Sequence, residues 1–366
     1  MDDASLHELL SGRRRGPGAS LLRGALAVAA WGYCAAMSLR NTAYDRRWLT
    51  IHKAKAPVIS LGNITTGGTG KTPMAAWLAN WLLLEGQRPG LLSRGYRSLA
   101  ATPSSPQGAV SPTSAGNDEQ RVLDRLCPGV PHLQQRDRVA SAKRLCDEFG
   151  CDVLILDDGF QHRRLQRDLD LVLVDALQPW GFEHVLPRGL LREPMSGLRR
   201  ADLIIVTRAD QCSGPARERL RSELIKYRGT PECVEVAFKP QRLIDLDGNV
   251  QPIELLATRK SLAFCGIGNP EGFRQTLASL GAIGEFRVYP DHHHYHEADL
   301  DELAKIATTT GAEIVVATLK DLVKISRDAW NGPPLHAVDI GIEFLAGEDL
   351  LTSRLRQLLT VARSTE

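Results

Sequence analysis

The 366-residue chain is short of net charge, aromatic rings and paired cysteine motifs, and each shortage removes a class of function. A formal net charge of +2, from 45 Lys+Arg against 43 Asp+Glu, is too near balance for a dedicated nucleic-acid binder, which is usually more basic. Aromatic residues make up 5% of the chain, too sparse for the stacking platforms that hold single strands. The seven cysteines (Cys34, Cys127, Cys146, Cys151, Cys212, Cys233 and Cys265) are odd in number and form no C-x-x-C pair. They read as reduced, mostly buried thiols of a cytoplasmic protein, neither a disulfide framework nor a zinc site. No internal repeat is evident. A strong membrane span is missing too: Leu21–Leu39 is apolar but interrupted by Arg23 and rich in Ala and Gly. Spanning needs about 20 strongly apolar residues. Basic residues flank the segment, Arg13, Arg14 and Arg15 before it and Arg40, Arg46 and Arg47 after it. The expectation is an interfacial helix on an anionic cytoplasmic leaflet, with a helix packed on the core as the plain alternative.

What the chain does have is a phosphate-binding loop. Val58–Ile59–Ser60–Leu61–Gly62–Asn63 reads as an apolar strand, Gly67–Gly68–Thr69–Gly70 as a glycine-rich turn, and Lys71–Thr72–Pro73 as the opening of an amphipathic helix. Glycines let backbone N–H groups curl around phosphate oxygens, and the helix N-terminus adds partial positive charge. Lys71 is expected at the β/γ-phosphates of ATP and the Thr72 hydroxyl on Mg²⁺. Pro73 suits the first helical turn, where its missing N–H costs nothing. The strict pattern wants Gly five residues before Gly70, where this chain has Thr65. The compact Gly67–Thr72 run is closer to the loops of partitioning and septum-site ATPases, which carry a lysine where this chain has Thr66. The expected nucleotide site is Thr65, Thr66, Gly67, Gly68, Thr69, Gly70, Lys71 and Thr72.

Helical spacing predicts a helix over 73–85, with Trp77 and Trp81 as core packing, and a strand near 90–93. Residues 98–116, rich in Ser, Thr, Pro, Ala and Gly, read as a flexible loop or lid. A helix over 137–149 leads to buried strands at 153–156, 169–174 and 203–206. Apolar runs alternating with helices call for a parallel sheet covered on both faces. Residues 234–238 and 336–344 alternate with period two and bracket strand 261–265, helix 270–280 and strand 314–317. The expected fold is therefore α/β, a P-loop NTPase-like, mostly parallel sheet, plus a smaller C-terminal α/β domain joined by two antiparallel strands. The expected division is an N-terminal membrane-associated region over 1–45 and a catalytic domain over 46–232. A smaller domain follows over 233–345, and the helix of 346–366 returns to the first domain.

A second signal is Val153–Leu154–Ile155–Leu156–Asp157–Asp158, a buried strand ending in carboxylates as a Walker B segment does. Adjacent strand residues face opposite ways, so one of Asp157 and Asp158 is expected to ligate Mg²⁺ and the other to orient. Thr207–Arg208–Ala209–Asp210 has a faint likeness to a guanine-reading loop but reads as a strand-to-helix turn. Asp291–His292–His293–His294–Tyr295–His296 invites a metal, yet no second ligand cluster has zinc-site spacing. Solvated loop histidines are expected at His293 and His294, and one histidine beside a carboxylate suits phosphoryl transfer better.

Taken together, these segments resemble the tetraacyldisaccharide 4′-kinases of lipid A biosynthesis over nearly the whole chain after Arg40. The likeness is carried by Ser60–Asn63 with Gly67–Pro73, Ser93–Arg94–Gly95–Tyr96, Asp118–Glu119 and Asp157–Asp158–Gly159–Phe160–Gln161–His162. Leu165–Leu169, Leu186–Pro187 and Leu191–Arg192–Glu193–Pro194 continue it. Phe264–Pro270, Pro290–Asp291–His292 and Thr318–Leu319–Lys320–Asp321 complete it. Asn117, Gln120 and Leu319 depart from the family's usual residues. The resemblance implies transfer of the γ-phosphate of ATP to the 4′-hydroxyl of a tetraacyldisaccharide 1-phosphate, giving lipid IVA. It further implies Asp118 as the base aided by His292, on different domains and brought together by closure. Asn63, Arg94, Gln161, His162, Arg192 and Glu193 would meet the phosphorylated sugar. The implied setting is a monomer, peripheral on the cytoplasmic face of the inner membrane, with a membrane-bound lipid as substrate and no nucleic acid. A partitioning-type ATPase is the competing reading.

Overall fold

In the computed structural model, residues 3–94 and 118–363 are described. The loop expected at 98–116 lies outside them, as do Gly95, Tyr96 and Asn117. In chain order the elements are α1 (Asp3–Ser11), α2 (Pro17–Asp45), β1 (Val58–Asn63), α3 (Lys71–Leu84) and β2 (Pro89–Ser93). Next come α4 (Asp118–Leu126), β3 (His132–Gln134), α5 (Arg138–Asp147), β4 (Val153–Asp157), β5 (Leu169–Asp175) and β6 (Leu203–Thr207). Then follow α6 (Gly214–Arg228), β7 (Cys233–Asp245), β8 (Val250–Pro252), α7 (Leu255–Thr258), β9 (Lys260–Cys265) and α8 (Pro270–Ser279). The chain closes with β10 (Ile283–Val288), α9 (Glu297–Thr310), β11 (Ile314–Thr318), α10 (Leu319–Leu322), β12 (Leu335–Ala346) and α11 (Glu348–Arg363).

The chain divides into two compact units. Among described residues, the first holds 3–94, 135–237 and 343–363, and the second holds 118–134 and 238–342. Residues 118–134, expected in the P-loop domain, thus group with the second unit. Strand β7 leaves the first unit and β12 returns to it.

In the first unit the strand order is β7-β6-β5-β1-β4-β2, and the registers from β2 through β7 are parallel. Strands β1, β2, β4, β5 and β6 are buried along their length, as their unbroken apolar runs predict for a sheet covered on both faces. Trp77 and Trp81 stack on each other at 6.3 Å, and Trp77 meets Phe344 edge-on at 4.9 Å. In the second unit the order is β10-β9-β11-β12-β7, with β8 antiparallel on β7. The pairs β10/β9, β9/β11 and β11/β12 are parallel. Period-two reading missed β10 because Gly284 breaks its apolar run; that glycine has φ 156 and lies against the Ser261 backbone. None of the seven cysteines forms a disulfide; Cys127, Cys151 and Cys265 are buried, while the other four are only partly so.

One contact fixes the site's scaffold. Gly159 donates its N–H to the Leu61 carbonyl at 2.9 Å, laying the turn after β4 across β1. A Cβ on Gly62 would sit 2.5 Å from the Phe160 Cβ and 2.7 Å from its backbone nitrogen, and Phe160 is itself buried. Neither neighbour can yield without moving backbone. Gly62→Ala is therefore expected to destabilise the fold by about 2–3 kcal/mol, read as a drop of several degrees in thermal midpoint. An unchanged midpoint would show that the close approach is dispensable.

Candidate active site

The first unit carries the phosphate loop as the sequence predicts. Helix α3 begins at Lys71, with Gly70 left-handed at φ 84 and no side-chain cap. Its first-turn N–H groups are thus left for an anion, as a phosphate site requires. Gly67, at φ 119, and Gly68 have open space where a side chain would point. The upstream part of the loop is engaged differently. Thr65 bridges to Leu191, and Thr66 gives both its N–H (2.7 Å) and its hydroxyl (3.3 Å) to the Leu190 carbonyl. The Thr66 N–H is thereby committed to that neighbouring segment, and its hydroxyl adds a bond that glycine could not make. Asn63 is buried and turned into the loop, donating Nδ2 to Thr69 Oγ1 at 2.9 Å.

The two carboxylates ending β4 have separate surroundings. Asp157 pairs in register with Leu61 of β1, is nearly buried, and accepts the Asp158 N–H at 2.9 Å. Asp158 turns into the left-handed region at φ 51, where a short polar side chain is tolerated. Its Oδ1 lies 3.5 Å from Lys71 Nζ and 2.7 Å from Arg192 Nη1, and Arg138 donates to its carbonyl at 3.2 Å. Burial pushes the Asp158 carboxyl up, but Lys71 and Arg192 outweigh it and hold it below its ordinary 3.8.

Around this pair sit the other residues singled out in the sequence. Gln161 donates Nε2 to the Asn63 carbonyl at 2.9 Å and to Glu193 Oε1 at 2.8 Å. Glu193 is fully buried; it also takes Arg200 at 2.6 Å and Asn41 at 3.5 Å. That burial gives Glu193 a bracing place, not the cleft-lining one expected. The His162 imidazole is pushed down to about 4, by burial first and then by Arg138, Arg167, Arg40 and Arg164. It is neutral at pH 7, and its buried Nε2 has no hydrogen-bond partner among the described residues. Arg94 is exposed just past β2, where its charge reaches Arg138.

Sequence reading missed several members. Arg208, at φ 54, grips Asp175 with Nε at 2.8 Å and reaches the Gly68 carbonyl at 3.3 Å, so the Thr207–Asp210 turn touches the phosphate loop. Helix α2 also enters the site. Tyr33 donates to the Arg192 carbonyl at 2.7 Å, Arg40 to the Gln161 carbonyl at 2.8 Å, and Arg163 pairs with Asp45 at 2.6 Å. Nothing in one-dimensional spacing links residues more than a hundred positions apart.

The second unit holds the other expected pair. Asp118, at the start of α4, lies with Oδ2 3.1 Å from His292 Nδ1 and 3.3 Å from Lys324 Nζ. The two residues share one unit, so the expectation that they lie on different domains is corrected; the chain crosses over before Asp118. His292 adopts φ 58 and donates its N–H to the Gly266 carbonyl at 3.1 Å and to Asp291 Oδ1 at 3.0 Å. Burial pushes Asp118 up, while the His292 hydrogen bond and the Lys324 cation bring it below its ordinary value. His293 is not a solvated loop residue: its Nε2 meets Asp299 at 2.9 Å, where Asp299 also accepts the His296 N–H at the start of α9. Among the described residues no cluster of three or more His, Cys, Asp or Glu is arranged to hold a metal.

Because Asp158 titrates lower when folded, its contribution to stability is complete above about pH 5 and is lost as pH falls through the folded value. Asp158→Asn is expected to lower stability at neutral pH and to flatten its decline between about pH 5 and 2. Denaturant melts across that range test it, and parallel profiles would count against the ion-pair account.

A phosphate loop, a carboxylate strand end and a carboxylate–imidazole pair describe a kinase, and known proteins agree. The family model for LpxK, tetraacyldisaccharide-1-P 4′-kinase, matches residues 22–360. A tetraacyldisaccharide 4′-kinase of Anaeromyxobacter dehalogenans (strain 2CP-C) is 40% identical over 351 residues, covering 93% of this chain and 92% of that one. That of Syntrophus aciditrophicus (strain SB) is 43% identical over 308 residues, 80% and 82% of the two chains. A crystal structure of LpxK from Aquifex aeolicus in complex with ATP superposes with a TM-score of 0.74 at 30% identity, covering 92% of this chain and 99% of that one. The chain belongs to the tetraacyldisaccharide 4′-kinase family.

Proposed function

We propose that the two units divide the work of a lipid kinase, the first holding ATP and the second supplying the base for the acceptor hydroxyl. As a family member the chain is an ATP-dependent tetraacyldisaccharide 4′-kinase: it transfers γ-phosphate to the 4′-hydroxyl of tetraacyldisaccharide 1-phosphate and gives lipid IVA. The observation that carries the division is Asp118 held against His292 in the second unit, while the phosphate loop and Asp157–Asp158 occupy the first. A partitioning-type ATPase has no use for that pair.

In this reading the open Gly67–Gly70 turn and the N-terminus of α3 take the phosphates, and Lys71 leaves Asp158 for the β/γ-oxygens. Thr72 and Asp157 fit a magnesium ion: both offer oxygen donors beside the loop, whereas Asp158 is already engaged by two cations. Bound there, magnesium neutralises charge on the transferring phosphates. Asp158 keeps its hold on Arg192. Neutral His162, with its unpaired buried nitrogen, and the Arg192 guanidinium would meet the sugar, while Gln161 and Glu193 bond each other beside them in the sequence. Asp118 takes the hydroxyl proton and His292 orients it.

Helix α2 supports a peripheral membrane position. Its 29 residues are long and apolar enough to cross a bilayer. Tyr33, Arg40 and Asn41, however, bind the catalytic segment, leaving about 15 residues, or roughly 22 Å of helix, free of it. That is short of a hydrocarbon core of about 30 Å. Leu21, Val28 and Trp31 are 79%, 74% and 83% exposed, and Arg13, Arg14, Arg15, Arg46 and Arg47 are exposed nearby. An apolar stripe beside arginines suits an anionic surface, and ATP use supports the cytoplasmic side of the inner membrane for it.

With labelled ATP and lipid disaccharide, Asp118→Ala is expected to cut label on the lipid by about 100- to 10,000-fold with circular dichroism unchanged. Retained turnover would remove the base assignment. Replacing Leu21, Val28 and Trp31 by Ser leaves Tyr33 and Arg40 in place. Flotation with vesicles containing anionic lipid should then fall several-fold while kcat on detergent-dispersed substrate holds; undiminished flotation would sink the membrane role of α2.

A further inference from the structure

The second unit carries a chain of buried polar groups behind Asp118, of which the sequence marked Thr318 and Asp321 by resemblance alone and did not mark Lys324. At its base is Asp321, fully buried in α10. Its Oδ1 accepts the Tyr295 hydroxyl at 3.0 Å, its Oδ2 accepts the Thr318 hydroxyl at 2.6 Å, and its own N–H returns to Thr318 at 3.3 Å. Lys324, one turn on, is 5% exposed and places Nζ 3.6 Å from Asp321 Oδ1 and 3.3 Å from Asp118 Oδ2. A lysine this buried needs charge compensation, and here it bridges two carboxylates. Burial, first, and the neighbouring Asp321 carboxylate push the Tyr295 phenol far above its ordinary range, so Tyr295 serves only as a donor to Asp321.

The contacts on Asp118 are one-sided. His292 and Lys324 both reach Oδ2, and no described residue hydrogen-bonds Oδ1. We propose that Lys324, anchored by Asp321, is a positioning residue that clamps Oδ2 of Asp118 together with His292 and so presents Oδ1 to the acceptor hydroxyl. This rests on the reading of Asp118 as the base. Phosphoryl transfer asks the protein mainly for placement, and a carboxylate free to rotate would share its time among unproductive orientations. The cation serves a second purpose, since a half-buried carboxylate near a negatively charged substrate would otherwise hold its proton. Asp321, with its Tyr295 and Thr318 donors, keeps the Lys324 side chain from folding wholly onto Asp118. The proton balance is simple: the hydroxyl proton passes to Asp118 Oδ1 as the oxygen attacks the γ-phosphorus and ADP departs. Lys324 itself gives up no proton.

The test is the pH dependence of kcat and the KM values in full-length enzyme, with ATP and detergent-dispersed lipid disaccharide. Lys324→Met is expected to lower kcat about 10- to 100-fold with both KM values unchanged, and to move the acid limb of kcat upward by about one pH unit or more. Lys324→Arg, which keeps the charge, should return the limb to its original position and recover much of kcat. Asp321→Asn removes the competing carboxylate and should move the limb the opposite way, downward. Because the two shifts have opposite sign, either variant alone tests the idea if the other fails to fold. An unmoved limb and normal kcat in the folded variant, with Asp118→Ala inactive, overturns the role of Lys324 and leaves Asp118 as base. Full activity in Asp118→Ala overturns both.

Discussion

The first unit depends on how the chain accommodates one carboxylate, that of Asp158. It stands in a left-handed turn at the end of β4, mostly out of water, with Lys71 from the phosphate loop and Arg192 from a distant segment on its oxygens. A buried charge is tolerated only when it is paired and its remaining polar groups are bonded. Arg138 completes the requirement from the third side by taking the Asp158 carbonyl. Three segments are thereby held around one point, and the phosphate loop stays open where Gly67 and Gly68 lie. Gly159 and Phe160, packed on Leu61 and Gly62, keep that turn at the correct height on the sheet.

The loop's departure from the strict phosphate-binding pattern has a structural cause. Thr65 and Thr66 pair with residues 190–191 as a short strand would, and the Arg192 N–H goes to the Ile64 carbonyl at 2.7 Å. That pairing carries Arg192 and Glu193 beside the phosphate site. Glycines there would free the backbone that anchors the neighbouring segment. Helix α2 extends the same construction, since Tyr33 and Arg40 bond the carbonyls of Arg192 and Gln161. The element that carries exposed apolar residues is thus hydrogen-bonded directly to the segments that carry Gln161 and Arg192.

The second unit solves the same problem with a different set of groups. A fully buried Asp321 is satisfied by a phenol, a hydroxyl and a lysine, and the lysine in turn reaches Asp118. Both units use a carboxylate to place a cation and the cation to place chemistry, a pattern that low local dielectric makes strong when every partner is present.

Much of this was legible along the chain. Unbroken apolar runs identified β1, β4, β5 and β6 because strands buried on both faces need no polar alternation, and the glycine-rich turn before Lys71–Thr72 identified a phosphate site because few residues but glycine permit φ near +84 or +119. Local spacing also marked Asp157 and Asp158, while Asp118 and His292 were marked by the resemblance to the family. What spacing could not carry was pairing between distant segments: which residues share a unit with Asp118, that Glu193 is buried, that Arg208 touches Gly68, that α2 reaches Gln161, and that Lys324 stands behind Asp118. Those facts follow from long-range packing, where a side chain's role is set by the carboxylate or carbonyl that folding brings opposite it. Residue type and local periodicity determined the chemistry on offer, and only the tertiary fold decided which groups meet, because burial forces each charge to find a partner wherever the chain supplies one.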